Sequence, residues 1–184
     1  MNTTTAFHLD DSIAILTRTP ASFDALLRGL PDFWVHRNEG EGSWSAFGIV
    51  GHLIFGERTD WMPRLQRILE HGEARPFDPF DREGHVKDSQ GKSMDQLLDE
   101  FALTRRESLE GLQSLNLQPS DLERTGMHPS QGVVKASELI AAWAAHDINH
   151  LHQLARVMAY QYRDAVGGFN PFLGVMHCDG HSAP

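Results

Sequence analysis

One stretch of the chain, from Lys135 to about Tyr162, constrains the fold most, because it predicts a long helix with histidines on its apolar side. It is rich in Ala, Leu and Met, which favour helices. Its inward stripe is formed by Leu139, Trp143, His146, His150, Gln153 or Leu154, and Val157. We expect Ser137 to cap this helix and Gly167 to lie beyond its end. Such a stripe must be buried against other elements of the fold.

Three earlier stretches also carry helical periodicity, and loops rich in Gly, Pro and Asp separate them. They are predicted at about residues 10–30, 45–70 and 93–117. Pro20 lies inside the first stretch, where we expect a kink or a break, and Pro63 lies inside the second, where we expect a kink. Ser45 is expected to cap the second stretch, and Ser93 followed by Gln96 is a capping-box pattern at the start of the third.

The segments between these helices predict little regular structure. Residues 132–135 have the character of a strand, but they are too few to build a sheet. The long connections at 73–92 and 118–134 are of a length that is often functional or partly disordered. We therefore predict an all-α fold, a four-helix bundle with long connections, over residues 1–176, followed by a tail at 177–184.

Charge and composition exclude several partners. The chain has 16 basic and 25 acidic residues, a formal net charge of −9, and its basic residues are scattered. Neither a nucleic acid nor a membrane surface is therefore expected to bind it. The longest apolar run, residues 139–145, is too short to span a bilayer, and the N-terminus has no features of a signal peptide. The single cysteine, Cys178, fits a reducing cytoplasm, which is the predicted location.

Two histidines of the last helix have the spacing of metal ligands. His146 and His150 are four residues apart, so both rings project from one face and can share an ion. Imidazoles in an apolar stripe are costly unless each nitrogen finds a partner, and a metal supplies one for both. His52, on the stripe of the second helix, is the best third ligand. Three neutral imidazoles leave coordination positions open, as in catalytic zinc sites.

Other readings of the same residues compete with the metal site. Hydrogen bonds in the core of a purely structural bundle would also satisfy these histidines. Asp147 stands where H-E-x-x-H metalloproteases carry a glutamate, but its side chain is one methylene shorter, so a protease is not expected. Asp147 is better suited to support a ligand or to lie at the edge of the bundle.

The remaining histidines are predicted to lie away from the site. Five of them lie in loops or near chain and helix ends and are expected to be solvated: His8, His36, His71, His85 and His128. His152 is expected to face away from His150. The tail residues His177, Cys178 and His181 are metal-ligand types, but no helix holds them in register, so we expect a mobile tail rather than a built site.

The sequence resembles the DinB-like (DinB/YfiT) superfamily of metal-binding four-helix bundles over about residues 8–175. Three segments carry the resemblance: Thr19-Pro20 with residues 26–30, Trp44-Ser45 with residues 51–53, and residues 144–154. The resemblance implies that His52, His146 and His150 are the metal ligands, with zinc or nickel as the divalent ion. It also implies a homodimer, and a relationship to S-transferases and a maleylpyruvate isomerase that use low-molecular-weight thiols.

This resemblance and the residues together predict a metal-dependent transferase that joins a small thiol to an electrophilic substrate. Asp147, Glu57 or Gln153 would orient a ligand or accept a proton. The alternative is a metal-binding stress or interaction protein without turnover, which needs the same ligands. A deep pocket above the ion would favour the enzyme, and its lining would be Trp44, Trp143 and Phe55.

Overall fold

The computed structural model describes residues 6–177 and consists mainly of four long helical segments. These segments are α1 (Leu9–Leu27), α3 with α4 (Ala46–Thr59 and Trp61–His71), α6 (Met94–Ser114) and α8 (Ala136–Tyr160). Helix α1 packs against α6 and α8, and α3 packs against the same two helices. The predicted four-helix bundle is therefore confirmed. No helix among residues 6–177 is both long enough and apolar enough to cross a membrane.

Shorter elements fill the connections between the long helices. They are α2 (Asp32–His36), α5 (Gly84–Asp88), α7 (Pro119–Leu122), β1 (Thr125–His128), β2 (Gly132–Lys135) and 3₁₀ turns at 72–74, 167–172 and 174–177. His177 is exposed, and its Nε2 lies 3.0 Å from the Asn170 carbonyl oxygen. Cys178 and His181 of the predicted tail lie outside the described residues.

Two of the three predicted helix caps are confirmed. The Ser45 hydroxyl accepts a hydrogen bond from the backbone N–H of the residue three positions on, at 3.2 Å. Ser93 and Gln96 form the reciprocal capping box, at 3.2 and 2.8 Å. The prediction for Ser137 is wrong, because α8 already begins at Ala136. There the carboxylate of Glu138 accepts from the Lys135 N–H at 2.8 Å, which makes a serine cap unnecessary.

The two internal prolines have different effects on their helices. Pro20 lies inside α1, which continues to Leu27 without a break. A kink was expected at Pro63, but the second stretch is broken three residues earlier, at Asp60, whose φ and ψ are −116° and −70°. Pro63 sits in the first turn of α4, where its missing N–H costs no hydrogen bond. If α3 continued through Asp60 into α4, the Pro63 ring would clash with the carbonyl of Thr59, so α3 has to end at Thr59.

The second long connection contains a small sheet that the sequence did not predict. Strands β1 and β2 form an antiparallel hairpin in which Gly126 pairs with Val134. The hairpin packs on α4, with Gly126 against the side chains of Ile68 and Phe77. Each strand has only four residues, too few for a periodicity signal. The hairpin is stable because it is docked on a helix.

The apolar core of the bundle is divided into two clusters. The first, the Phe23 cluster, includes Phe23, Leu53, Phe101 and Leu154. The second, the Trp143 cluster, includes Leu16, Trp61, Leu109 and Trp143. Each long segment contributes to both clusters and carries a buried polar residue between its two contributions. These residues are Thr19, Glu57, Arg105 and Asp147, which together we call the polar layer.

Replacing Gly126 with alanine should destabilise the protein, because the new Cβ would lie 2.7 Å from Ile68 and 3.1 Å from the Phe77 ring. We expect a loss of about 1–3 kcal/mol in the free energy of unfolding, measured by urea denaturation. Gly168→Ala is the control, since its Cβ would meet no atom within 4 Å, and it should change stability by less than about 0.5 kcal/mol. Equal stability of the two variants would contradict the docking of the hairpin.

Candidate metal centre

The fold brings His52, His146 and His150 together, as the sequence predicted. His52 lies on α3 and the other two on α8. Nε2 of His146 lies 3.1 Å from Nε2 of His52 and 3.0 Å from Nε2 of His150. One ring nitrogen of each residue lies within 4.8 Å of the other two. His52 and His150 are buried, and His146 is partly buried. The three rings therefore face a common point.

Burial keeps these three imidazoles neutral. Together with the neighbouring histidines, it lowers the pKa of His52 to about 2 and that of His146 to about 3. Burial also lowers the pKa of His150, although a hydrogen bond to Gln153 opposes the shift. Neutral imidazoles are the form that binds metal ions, so no proton has to leave these rings at neutral pH.

The donor set fits a divalent transition metal. Nitrogens that share a tetrahedral zinc ion at about 2.0–2.1 Å are separated by about 3.3 Å, close to the two contacts found here. The Nδ1 atom of His150 lies 2.7 Å from Oε1 of Gln153. An Nδ1–H that donates to Gln153 leaves the Nε2 lone pair of His150 free for a metal. Gln153, predicted to orient a ligand, is thus placed to orient His150.

Aromatic packing holds the other two rings. The ring centroid of His52 lies 4.6 Å from that of Trp44 and 5.4 Å from that of Phe80. The ring of His146 meets Trp61 edge-on at 5.1 Å. The Nδ1 atoms of His52 and His146 are buried and have no hydrogen-bond partner among the described residues. The positions of these two rings therefore depend on packing, in contrast to that of His150.

The pocket lining predicted from the sequence is found only in part. Trp44 lies against the site and stacks on His150 with ring centroids 6.0 Å apart. Trp143 lies one layer deeper, where it stacks on Trp61 at 6.0 Å. Phe55 is separated from the histidines by Phe80, which contacts it at 5.5 Å. The site thus has aromatic walls formed by Trp44, Phe80 and Trp61.

A fourth histidine, His85, also reaches this region. It was expected to be solvated, but only 3% of its surface is exposed. Its ring centroid lies 5.8 Å from that of His52 and 5.0 Å from that of Trp44. Helix α5 can approach α3 this closely because Gly51 has no side chain; a Cβ there would lie 2.4 Å from Ser89 Oγ. The prediction is wrong because the connection folds back onto α3, which helical periodicity does not reveal.

The other histidines mostly agree with the prediction. Those found exposed are His8, His36, His71 and His152. His128 departs from it, because the ring is half-buried and its Nε2 lies 3.1 Å from Nη1 of Arg64. Both exceptions belong to the long connections, where the chain folds back on the bundle.

The polar layer lies behind the metal centre and is organised by Arg105, which is 2% exposed. Its guanidinium donates to Oε1 of Glu57 at 2.7 Å and to Oδ2 and Oδ1 of Asp147 at 2.5 and 3.0 Å. Thr19 donates to Asp147 Oδ2 as well, and Trp143 Nε1 donates to Glu57 Oε1 at 2.9 Å. These contacts tie α8 to α1, α3 and α6.

Asp147 and Glu57 were predicted to orient a ligand or accept a proton. The structure places both carboxylates against Arg105, with Asp147 0% and Glu57 4% exposed. From this position they can fix the helices that carry the histidines, but they are not directed at the aromatic-walled side of the site. Sequence reasoning missed Arg105, whose only signal was a charged residue within the third helical stretch.

These features define a four-helix bundle with a candidate metal site of three neutral histidines. The comparisons with known proteins agree, since residues 15–154 match the sequence family described as the DinB superfamily. The chain belongs to the DinB superfamily. No curated protein matches it.

Two solved structures have the same fold. YfiT from Bacillus subtilis has a TM-score of 0.71 and 17% sequence identity, covering 90% of this chain and 92% of YfiT. It is described as a probable metal-dependent hydrolase with an unusual four-helix bundle topology. TT2238, a four-helix bundle protein, has a TM-score of 0.50 and 19% identity, covering 80% of this chain and 98% of its own. At these identities the similarity establishes the fold alone.

His146→Ala should abolish metal binding, because the nitrogen that lies close to both other rings is removed. Elemental analysis of the purified protein should give about one divalent ion per chain for the wild type and much less for the variant. His152→Ala, which removes an exposed histidine from the same helix, should keep its metal. Equal metal content in all three proteins would place the ion elsewhere, and none in any after reconstitution would exclude the site.

Arg105→Met should destabilise the bundle strongly, because two buried carboxylates lose their counter-charge. We expect a loss of about 3–5 kcal/mol in the free energy of unfolding. Arg106→Met, at the adjacent exposed position, should change it by less than about 0.5 kcal/mol. Urea denaturation of both variants measures the difference. A loss of similar size in both would mean that the charges of the polar layer are not responsible.

Proposed function

We propose that this protein is a metal-dependent transferase that joins a small thiol to an electrophilic substrate. The observation that carries the proposal is the convergence of three neutral Nε2 atoms from His52, His146 and His150. A divalent ion such as zinc or nickel, held by neutral ligands alone, keeps its full charge and lowers the pKa of a thiol or water bound to it. Three protein ligands leave room for such a nucleophile.

Other residues of this chain would orient the ligands and shape the site. Gln153 fixes the orientation of His150 through the 2.7 Å contact between its Oε1 and the Nδ1 of the ring. Trp44 and Phe80 flank His52 and give the site aromatic walls. Such walls exclude water and suit a soft, polarisable ligand such as sulfur, which supports a thiol as the nucleophile. Asp147 and Glu57 belong to the polar layer behind the histidines, where they position α8 and α3.

Two other functions fit the same ligands. Hydrolysis is favoured by the description of YfiT as a probable metal-dependent hydrolase, since a site that activates a thiol can also activate water. A metal-binding stress or interaction protein without turnover needs only the affinity for the ion. We also propose a cytoplasmic homodimer in which residues 1–176 form the bundle domain, as the sequence suggests.

Zinc- or nickel-loaded protein should consume a small thiol in the presence of activated alkyl or maleyl electrophiles, and the consumption should stop in His146→Ala but not in His152→Ala. Thiol loss is followed with a thiol-specific chromogenic reagent, and the product is identified by mass. Turnover of ester or amide substrates without thiol would establish the hydrolase instead. Metal-loaded protein with neither activity would support a metal-binding protein without turnover.

A further inference from the structure

The loop between α2 and α3, residues 37–45, places one aromatic side chain against histidines of both ligand-bearing helices. We call it the Trp44 loop. The ring centroid of Trp44 lies 4.6 Å from that of His52, which belongs to α3, and 6.0 Å from that of His150, which belongs to α8. A displacement of this indole would therefore change the packing of two of the three candidate ligands.

The ring of His52 depends on such packing more than the ring of His150 does. Nδ1 of His150 lies 2.7 Å from Oε1 of Gln153, whereas Nδ1 of His52 is buried and has no hydrogen-bond partner within the part of the chain that the structure describes. Among the rings around His52 that are not candidate ligands, Trp44 lies closer than Phe80, whose centroid is 5.4 Å away. The orientation of the His52 ring is thus sensitive to the position of Trp44.

Internal hydrogen bonds give the Trp44 loop its shape. The backbone N–H and the hydroxyl of Ser43 both donate to the Gly40 carbonyl oxygen, at 3.2 and 2.7 Å. The N–H of Glu39 donates to Ser43 Oγ at 3.1 Å. Gly40 and Gly42 have φ values of +135° and +76°, which other residues rarely adopt. These contacts close the loop on itself, but they do not attach it to the bundle.

A buried ion pair attaches the loop to α8. Nε of Arg156 donates to both carboxylate oxygens of Glu39 at 3.0 Å, and its Nη2 donates to Oε1. The side chains of Arg156 and Glu39 are 4% and 11% exposed. Charged hydrogen bonds with this two-oxygen geometry are strong and directional. Gln161 adds a weaker link at an exposed position, since its Nε2 donates to the Asn38 carbonyl oxygen at 3.2 Å.

The ion pair therefore connects the two helices that carry the candidate ligands. Arg156 follows His150 by six residues on α8, which is about 9 Å along the helix axis. The chain then runs from Glu39 through Trp44 into α3, whose N-cap is Ser45. Loss of either charge would leave the other one buried without its partner, so the pair favours a single position of the loop.

We propose that Glu39 and Arg156 are positioning residues of the metal centre, because their ion pair holds Trp44 against His52 and His150 and thereby sets the orientation of these rings. The inference rests on the metal site of the proposed function. It does not depend on which reaction the bound ion supports.

The affinity for cobalt, measured by competition with a chromogenic chelator, tests this role without any turnover. Glu39→Gln keeps the size of the side chain but removes its charge. It should weaken cobalt binding about tenfold, as is typical when a group that orients metal ligands is lost. The visible absorption bands of the bound cobalt, which report the ligand geometry, should shift as well.

Glu123→Gln is the matched control, since it removes the same charge from an exposed ion pair with Lys135. It should leave both the cobalt affinity and the absorption bands unchanged. Wild-type affinity and wild-type bands in Glu39→Gln would overturn the proposal.

A double-mutant cycle separates positioning through Trp44 from a general effect on stability. Trp44→Ala should itself weaken cobalt binding. Adding Glu39→Gln to that variant should weaken binding by less than about twofold further, because the ion pair acts through the indole. A further tenfold loss in the Trp44→Ala background would overturn the proposal, since Glu39 would then act independently of Trp44.

Arg156→Lys is a second variant for the case that Glu39→Gln folds poorly. It keeps the charge but loses the planar group that contacts both oxygens of Glu39, so we expect a smaller loss of cobalt affinity, about threefold. That loss should also disappear in the Trp44→Ala background. Cobalt affinity equal to that of the wild type in folded Arg156→Lys and in folded Glu39→Gln would exclude the positioning role.

A failure of the proposed function gives a different result. If the wild type binds cobalt, Glu39→Gln shows the expected loss and the loaded protein consumes no thiol, only the proposed reaction is contradicted. Wild-type protein that binds no cobalt would overturn the metal centre and the positioning role together.

Discussion

Arg105 binds two carboxylates in the interior of the bundle, and the arrangement of the helices depends on this contact. A guanidinium that is 2% exposed loses its hydration on folding, and only well-aligned partners compensate for the loss. Here Glu57 and Asp147 supply the counter-charge. Thr19 donates to Oδ2 of Asp147 and Trp143 donates to Oε1 of Glu57, which are oxygens that Arg105 also contacts. Because these partners come from α1, α3 and α8, a shift of α3 or α8 would leave a buried charge unpaired, and a shift of α1 would break the hydrogen bonds of Thr19. The network therefore selects one register among the many that apolar packing alone would allow.

That register also determines the positions of the three histidines of the candidate metal centre. Asp147 directly follows His146, and Glu57 follows His52 by one and a half helical turns. When Arg105 fixes both carboxylates, it fixes the position of α8 relative to α3, and thereby the spacing of about 3 Å between Nε2 atoms of different helices. Trp143 extends the same network, since it donates to Glu57 and stacks on Trp61, whose ring meets His146. The histidine rings are held mainly by packing, and the hydrogen bonds of the polar layer fix the helices that carry them.

The sequence allowed prediction of those parts of the structure that depend on local order. Periodicity placed the long helices, the i, i+4 spacing paired His146 with His150, and the apolar stripe of the second helix pointed to His52. Arg105 could not be placed, because its partners lie 42 to 89 residues away and nothing in the sequence indicates a contact over that separation. The same reason applies to His85, whose burial follows from a connection that folds back onto Gly51. Strand β1, the partner of the strand-like residues 132–135, was missed for another reason, since its four residues are too few to show an alternation.

The charges of the layer and of the metal centre are complementary. Arg105 with Glu57 and Asp147 has a formal charge of +1 − 2 = −1, buried in the interior. Three neutral histidines add nothing to it, so the polar layer and the histidines together have a formal charge of −1. A divalent ion at the histidines reverses that imbalance at short range, where the low dielectric makes the attraction strong. We therefore expect the polar layer to add to the affinity of the three histidines for a cation, and a bound ion would in turn favour the folded state.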